Sequence, residues 1–150
     1  KPLFDAVVLS TIASYAQGMD ILREASNVYK YNLDMQSIAQ IWKGGCIIRS
    51  KLLKRIQDAY KNDPNLKNLI FDSWFNSQIS TKIENLSFVV SSANKAGIPL
   101  PCMSSTLDYL NSYRTSRLPQ NLVQAMRDCF GSHTYERVDQ EGSFHTEWLK

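Results

Sequence analysis

The sequence predicts an all-α domain, a multi-helix bundle of six or seven helices with an irregular C-terminal tail. Three observations carry this reading. Apolar residues recur at steps of three and four through most of the chain. Strong breaks separate those stretches at Gly44-Gly45, at Asn62-Asp63-Pro64-Asn65 and at Gly97-Ile98-Pro99-Leu100-Pro101. No run makes a convincing strand. The chain has 150 residues and 43% hydrophobic content, which suits one domain over residues 1–150 that buries about 68–70% of its unfolded surface.

The first helix is expected over residues 3–29. Phe4, Val8, Ile12, Tyr15, Met19, Leu22 and Tyr29 form its apolar stripe, with Ser26 in the one gap. Gly18 weakens it by about 1 kcal/mol relative to Ala, which points to close approach by another helix. Asn32 and Asp34 are cap residues for a second helix through Ile38, Ile41 and Trp42. The third runs over residues 45–61 on Ile48, Leu52, Ile56 and Tyr60, with Lys51, Lys54, Arg55 and Lys61 as a solvated outer face. Pro64 ends it.

One long helix is expected over residues 66–96. Ser87-Phe88-Val89-Val90-Ser91 has strand propensity, but the helical spacing runs through it from both sides. Gly97 suits the residue just past its end. Ser104 or Ser105 then opens a helix through Leu107, Leu110 and Tyr113, with the tyrosines on its core side. Pro119 sits in the first turn of the next, which buries Leu122, Val123, Met126, Cys129 and Phe130 and closes at Gly131. Residues 132–150 lack periodicity, yet Tyr135, Phe144 and Trp148 imply a tail that packs.

Composition narrows the function classes. Seventeen basic against 14 acidic residues give a net charge of +3, too dispersed for a nucleic-acid partner. No apolar run reaches the ~18–20 residues of a membrane span, and Lys1-Pro2-Leu3-Phe4-Asp5 lacks the features of a signal peptide. Cys46, Cys102 and Cys129 are odd in number and have no CxxC spacing. They read as reduced, buried or half-buried thiols of a cytoplasmic protein. No zinc-ligand spacing exists, so no metal is expected.

One pair invites chemistry. Arg127, near the end of its helix, offers a planar fork of donors suited to phosphate. His133, just past Gly131, can add a donor or a switchable charge, and a bend at Gly131 would let the two converge. By spacing alone the pair also answers to a blander reading, an arginine serving the helix dipole and the adjacent Asp128. Arg49, among apolar neighbours, is either half of a buried ion pair or a site residue.

Longer patterns remain. They are Ser14-Tyr15-Ala16-Gln17-Gly18, the run Ile38-Ala39-Gln40-Ile41-Trp42-Lys43-Gly44-Gly45-Cys46-Ile47-Ile48-Arg49-Ser50, and Arg117-Leu118-Pro119-Gln120-Asn121-Leu122. They continue through Gln124-Ala125-Met126-Arg127-Asp128, Phe130-Gly131-Ser132-His133-Thr134-Tyr135-Glu136 and Phe144-His145-Thr146-Glu147-Trp148. In this order they resemble the all-helical C-terminal domain of decarboxylating 6-phosphogluconate dehydrogenases. The resemblance implies an NADP-dependent oxidoreductase of the pentose phosphate pathway and gluconate utilization. Such enzymes convert 6-phosphogluconate to ribulose 5-phosphate and carbon dioxide without a metal.

It also implies that NADP, a Lys base and a Glu acid belong to an N-terminal domain absent from this chain. The chain then carries no catalytic or cofactor-binding residue and is inactive alone. It contributes a homodimer interface, and Arg127 and His133 hold the substrate phosphate across the dimer. The alternative is a stand-alone, catalytically inactive dimerisation module.

Overall fold

The structure, a computed structural model, describes residues 1–148; Leu149 and Lys150, the end of the expected tail, lie outside the described residues. Among the described residues six helices follow in order: α1 (Pro2–Tyr29), α2 (Met35–Trp42), α3 (Leu52–Asn62), α4 (Ser73–Lys95), α5 (Pro101–Arg114) and α6 (Asn121–Gly131). Two short strands, β1 (Tyr135–Glu136) and β2 (Ser143–Phe144), come last. The contacts group the chain into two compact units, Lys1–Asn111 and the residues from Ser112 onward.

In the first unit α1 packs along α4, and α2 packs against α3. The buried face of α1 is Ala6, Leu9, Ile12, Ala13, Ala16 and Met19. Of the expected stripe, Ile12 and Met19 are buried and Val8, Tyr15 and Leu22 pack against the core, but Phe4 is 69% exposed and Tyr29 also faces solvent. Alanines at the contact let a neighbouring helix come close, and α4 meets α1 with Phe75, Ile79, Ile83, Leu86 and Val90. A stripe chosen by side-chain size misses a face built from small residues. Buried Asp5 accepts a hydrogen bond from Asn85 of α4 at 2.6 Å, which fixes the register of the two helices. Among the described residues the close approach expected at Gly18 is not made: an added Cβ there would meet nothing within 4 Å.

The local chemistry sets the boundaries. Asp34 caps α2 by accepting the N–H groups of Gln36 and Ser37, each at 3.2 Å. Asn32, the other candidate, lies in the preceding turn with φ +52°. The third helix starts at Leu52 rather than near Gly45. The Tyr15 hydroxyl donates to the Ile48 carbonyl, and Ser50 Oγ accepts the Leu52 N–H at 3.1 Å, so residues 46–51 turn instead of coiling. Ile47 in that turn is 99% exposed. Arg49 is exposed too, with no ion pair among the described residues, so the buried-pair reading does not hold.

The segment expected as one helix over residues 66–96 is divided by two side-chain caps. Asn68 accepts the Ile70 N–H at 3.1 Å and starts a 3-10 turn, Leu69–Phe71. Asp72 then accepts the Trp74 and Phe75 N–H groups at 3.0 and 3.2 Å and starts α4. Residues 87–91 are helical within α4. Gly97 (φ +70°) reverses the chain, and the Ile98 N–H returns to the Ala93 carbonyl at 2.9 Å. α5 begins at Pro101, ahead of the expected serines, because proline suits a first turn. Tyr109 is half-buried and accepts from Asn68 at 2.8 Å, whereas Tyr113, expected on the core side, is exposed. Within this core the Tyr60 hydroxyl is buried with no hydrogen-bond partner among the described residues, and burial pushes its pKa up to about 12.

The second unit inverts the expectation for α6. Leu122, Val123, Met126 and Phe130 are exposed, Phe130 by 82%; the buried residue of the helix is Asp128. The polar side of α6 faces the tail, which forms a hairpin pairing Tyr135 with Phe144 and Glu136 with Ser143. Two residues per strand are too few for an alternating pattern, so this hairpin left no trace in the sequence. Cys46 is half-buried, within the expected buried or half-buried placement, whereas Cys102 and Cys129 are exposed, against it; all are free thiols.

Candidate functional site

Arg127 lies in the last turns of α6 and His133 two residues beyond its end. The bend between them is not at Gly131. That residue stays helical, and Ser132 (φ +49°) takes the left-handed conformation, its N–H donating to the Asp128 carbonyl at 2.8 Å. Gly131 is needed for another reason. A Cβ there would stand 2.8 Å from His133 Cδ2 and 3.0 Å from Nε2. The imidazole therefore lies on the bare backbone of Gly131, four residues after Arg127. Residues four apart on a helix share a face, so Arg127 and the Gly131 backbone beneath the His133 ring lie on one side of α6.

Both groups are exposed. Neither forms an ion pair with a carboxylate among the described residues. Arg127 donates a hydrogen bond from Nη1 to Gln124 Oε1 at 3.2 Å. Gln124 Nε2 in turn donates to the Thr134 carbonyl at 2.5 Å. The segment carrying His133 is thus tied to α6 on both flanks. Thr134 itself has φ +61°, a region a β-branched residue rarely enters, and it persists only because its surroundings hold it.

Asp128 organises the other side of the helix. Its Oδ1 accepts the Thr134 N–H at 3.0 Å and stands 2.9 Å from His145 Nδ1. Its Oδ2 accepts the Thr146 N–H at 3.0 Å and the Trp148 indole N–H at 2.9 Å. Burial opposes the charge on this carboxylate. The Thr146 N–H, the His145 ring and the Trp148 indole outweigh that cost and hold its carboxyl well below the usual carboxylate range. Asp128 is therefore committed to the tail and is not a partner for the adjacent Arg127. Tyr135 Oη and Thr146 Oγ1, 2.7 Å apart, close the hairpin over it.

A hollow of about 390 Å³ opens in this unit, lined by Arg117, Asn121, Gln124, Tyr135, Arg137 and Trp148 among others. Arg127 and His133 do not line it; they stand on the surface. Among the described residues no three of His, Cys, Asp and Glu cluster as metal ligands, and no helix is long and apolar enough to cross a membrane. What Arg127 and His133 can do is bind an anion: a planar cation and a ring donor face solvent with no competing carboxylate. The sequence singled out Arg127 and His133 but not the tying roles of Gln124 and Asp128. The available signal was two hydrogen-bonding residues one turn apart, among apolar residues that turn out to face the other way.

The model of the 6-phosphogluconate dehydrogenase C-terminal domain matches residues 1–148. The chain belongs to this family. It is 51% identical over 145 residues to the decarboxylating 6-phosphogluconate dehydrogenase of Synechococcus elongatus, covering 97% of this chain and 31% of that protein. It is 49% identical over 145 residues to the NADP(+)-dependent decarboxylating enzyme of Bacillus subtilis, with the same coverage of 97% and 31%. Among solved structures, the 6-phosphogluconate dehydrogenase of Plasmodium falciparum superposes with a TM-score of 0.93 at 44% identity, over 98% of this chain and 32% of that one. That enzyme is described in its apo form, with its cofactor NADP+ and with its substrate 6-phosphogluconate. The chain spans less than a third of the length of these 6-phosphogluconate dehydrogenases.

Proposed function

We propose that this chain is the C-terminal domain of an NADP-dependent cytoplasmic enzyme that oxidises 6-phosphogluconate and releases carbon dioxide, giving ribulose 5-phosphate. In this reading Arg127 and His133 hold the substrate phosphate, and the domain supplies a homodimer interface. The observation that carries it is the His133 ring seated on Gly131, on the Arg127 side of α6, with both groups unpaired by carboxylates.

NADP accepts the hydride in such a reaction. Its pyrophosphate needs a strand leading through a glycine-rich turn into a helix. The strands described here are two residues long and come after the last helix. The residues of this chain do not fit the cofactor, whose place we assign to an N-terminal domain outside it. The chain's own part is positioning. A guanidinium and an imidazole on a rigid helix end fix the phosphate, remote from the reacting carbons. Binding energy released there orients the sugar acid without any bond changing at this site.

Placement on the surface supports a site completed by another chain. The exposed stripe of Leu122, Met126 and Phe130 on α6 supports an apolar dimer interface beside it. The test is an assay of the full-length protein for NADPH formation and carbon dioxide release with 6-phosphogluconate. Both should depend on that substrate, and the 150-residue chain alone should give neither. Full activity on an unphosphorylated sugar acid, or none on 6-phosphogluconate, would sink the reading.

A further inference from the structure

We propose that Gln124 is a positioning residue of the phosphate site, a neutral tether that fixes Arg127 and the His133–Thr134 segment relative to each other. The proposal rests on the reading that Arg127 and His133 take the phosphate.

A primary amide carries both an acceptor and donors, and Gln124 uses them in opposite directions. Its Oε1 accepts from Arg127 Nη1 at 3.2 Å, and its Nε2 donates to the Thr134 carbonyl at 2.5 Å. The Thr134 N–H is taken by Asp128 Oδ1 at 3.0 Å. Both polar groups of the Thr134 backbone are therefore held by α6 side chains four residues apart. They hold it where it would not rest unaided, at φ +61°, two residues after Ser132 at φ +49°. Removing the Gln124 donor frees one side of this clamp, and with it the segment that lays His133 on Gly131.

The chemistry of the tether matters as much as its place. A carboxylate at this position would draw Arg127 into an ion pair and compete with the phosphate. The amide orients the guanidinium without neutralising it, so its charge and its remaining N–H groups stay free for a dianion. A hydrocarbon of the same length would leave Arg127 free to sample many rotamers.

The experiment is steady-state kinetics of the full-length protein carrying Gln124→Met, Gln124→Glu or Arg127→Ala. Gln124→Met should raise the KM for 6-phosphogluconate by about tenfold, as expected for the loss of an orienting hydrogen bond to a charged group. It should change kcat by less than about twofold and leave the KM for NADP unmoved. Gln124→Glu should raise the KM further, because it adds a competitor for Arg127. General damage to the fold would lower kcat and disturb both substrates. If Gln124→Met does not fold, Gln124→Ala, which removes both hydrogen bonds without adding a charge, carries the test by the same criterion. A raised KM in Arg127→Ala with no change in either Gln124 variant overturns the tether and leaves the phosphate site standing. An unchanged KM in Arg127→Ala removes the site itself, and the tether with it.

Discussion

Trp148 donates its indole N–H to Asp128 Oδ2 at 2.9 Å, so the chain's final described aromatic is fastened to the buried carboxylate of α6. Together with Thr134, His145 and Thr146 it makes Asp128 the centre around which the helix end, hairpin and tail are ordered. Arg127, one residue before, is exposed and donates to Gln124 instead.

This arrangement carries a pH dependence of definite sign. The Asp128 carboxyl is held below its usual range in the folded state, so the unfolded chain takes up its proton first. The stabilisation is fully present above about pH 4 and is lost as the pH falls through the lower folded-state value. Acid titration followed by tryptophan fluorescence should show Trp148 released only in that acid range. Asp128→Asn, which removes the titrating group, should flatten this step. An identical acid transition in both proteins would rule out Asp128 as its source.

Gly131 separates stability from binding. It is helical without a positive φ, so Gly131→Ala should raise helix stability by about 0.5–1 kcal/mol. The added Cβ would stand 2.8 Å from the His133 ring and must displace it. The expected protein melts at the same or a higher temperature and has a several-fold higher KM for 6-phosphogluconate. A variant that keeps wild-type substrate affinity would show that the ring's seat on Gly131 is immaterial.

The fold was legible where apolar side chains are large and the ladder unbroken. α4 shows its Phe75–Val90 stripe plainly, and its strand-like centre is read correctly from the spacing. The face of α1 was read in part: Ile12 and Met19 are in the core, but the small Ala6, Ala13 and Ala16 beside them were passed over because they bury little area. Short-range side-chain hydrogen bonds moved other boundaries: Asn68 and Asp72 cut one expected helix into two elements, and Tyr15 reaches Ile48 across 33 residues. At the site, Arg127 and His133 were visible as residue types. The bend expected at Gly131 lies at Ser132, and the His133 ring rests over Gly131 because no side chain stands there. Gln124 and Asp128 were hidden because α6 turns its apolar stripe outward, reversing the usual reading of an amphipathic helix.

That reversal predicts assembly. Met126 lies between Leu122 and Phe130 on the exposed stripe, and a charge at its centre should be costly to bury in an interface. By sedimentation the wild-type chain should be a dimer at micromolar concentration, and Met126→Glu should shift it to monomer with unchanged helix content. A wild-type chain that remains monomeric would leave the stripe without a partner.

Tyr60 offers a control inside the core. Its hydroxyl is buried and unpartnered, so Tyr60→Phe should leave stability unchanged or raise it by about 1–2 kcal/mol. Urea unfolding measures this directly, and a large loss would reveal a hydroxyl contact that the core does not display.

The proposed phosphate site consists of two side chains at the end of α6, Arg127 and His133. Steady-state kinetics of Arg127→Ala in the full-length protein tests this most directly. Loss of a charge-assisted contact of about 1.5–3 kcal/mol should raise the KM for 6-phosphogluconate by one to two powers of ten, with kcat changing far less. A KM equal to wild type, or a fall confined to kcat, would contradict it.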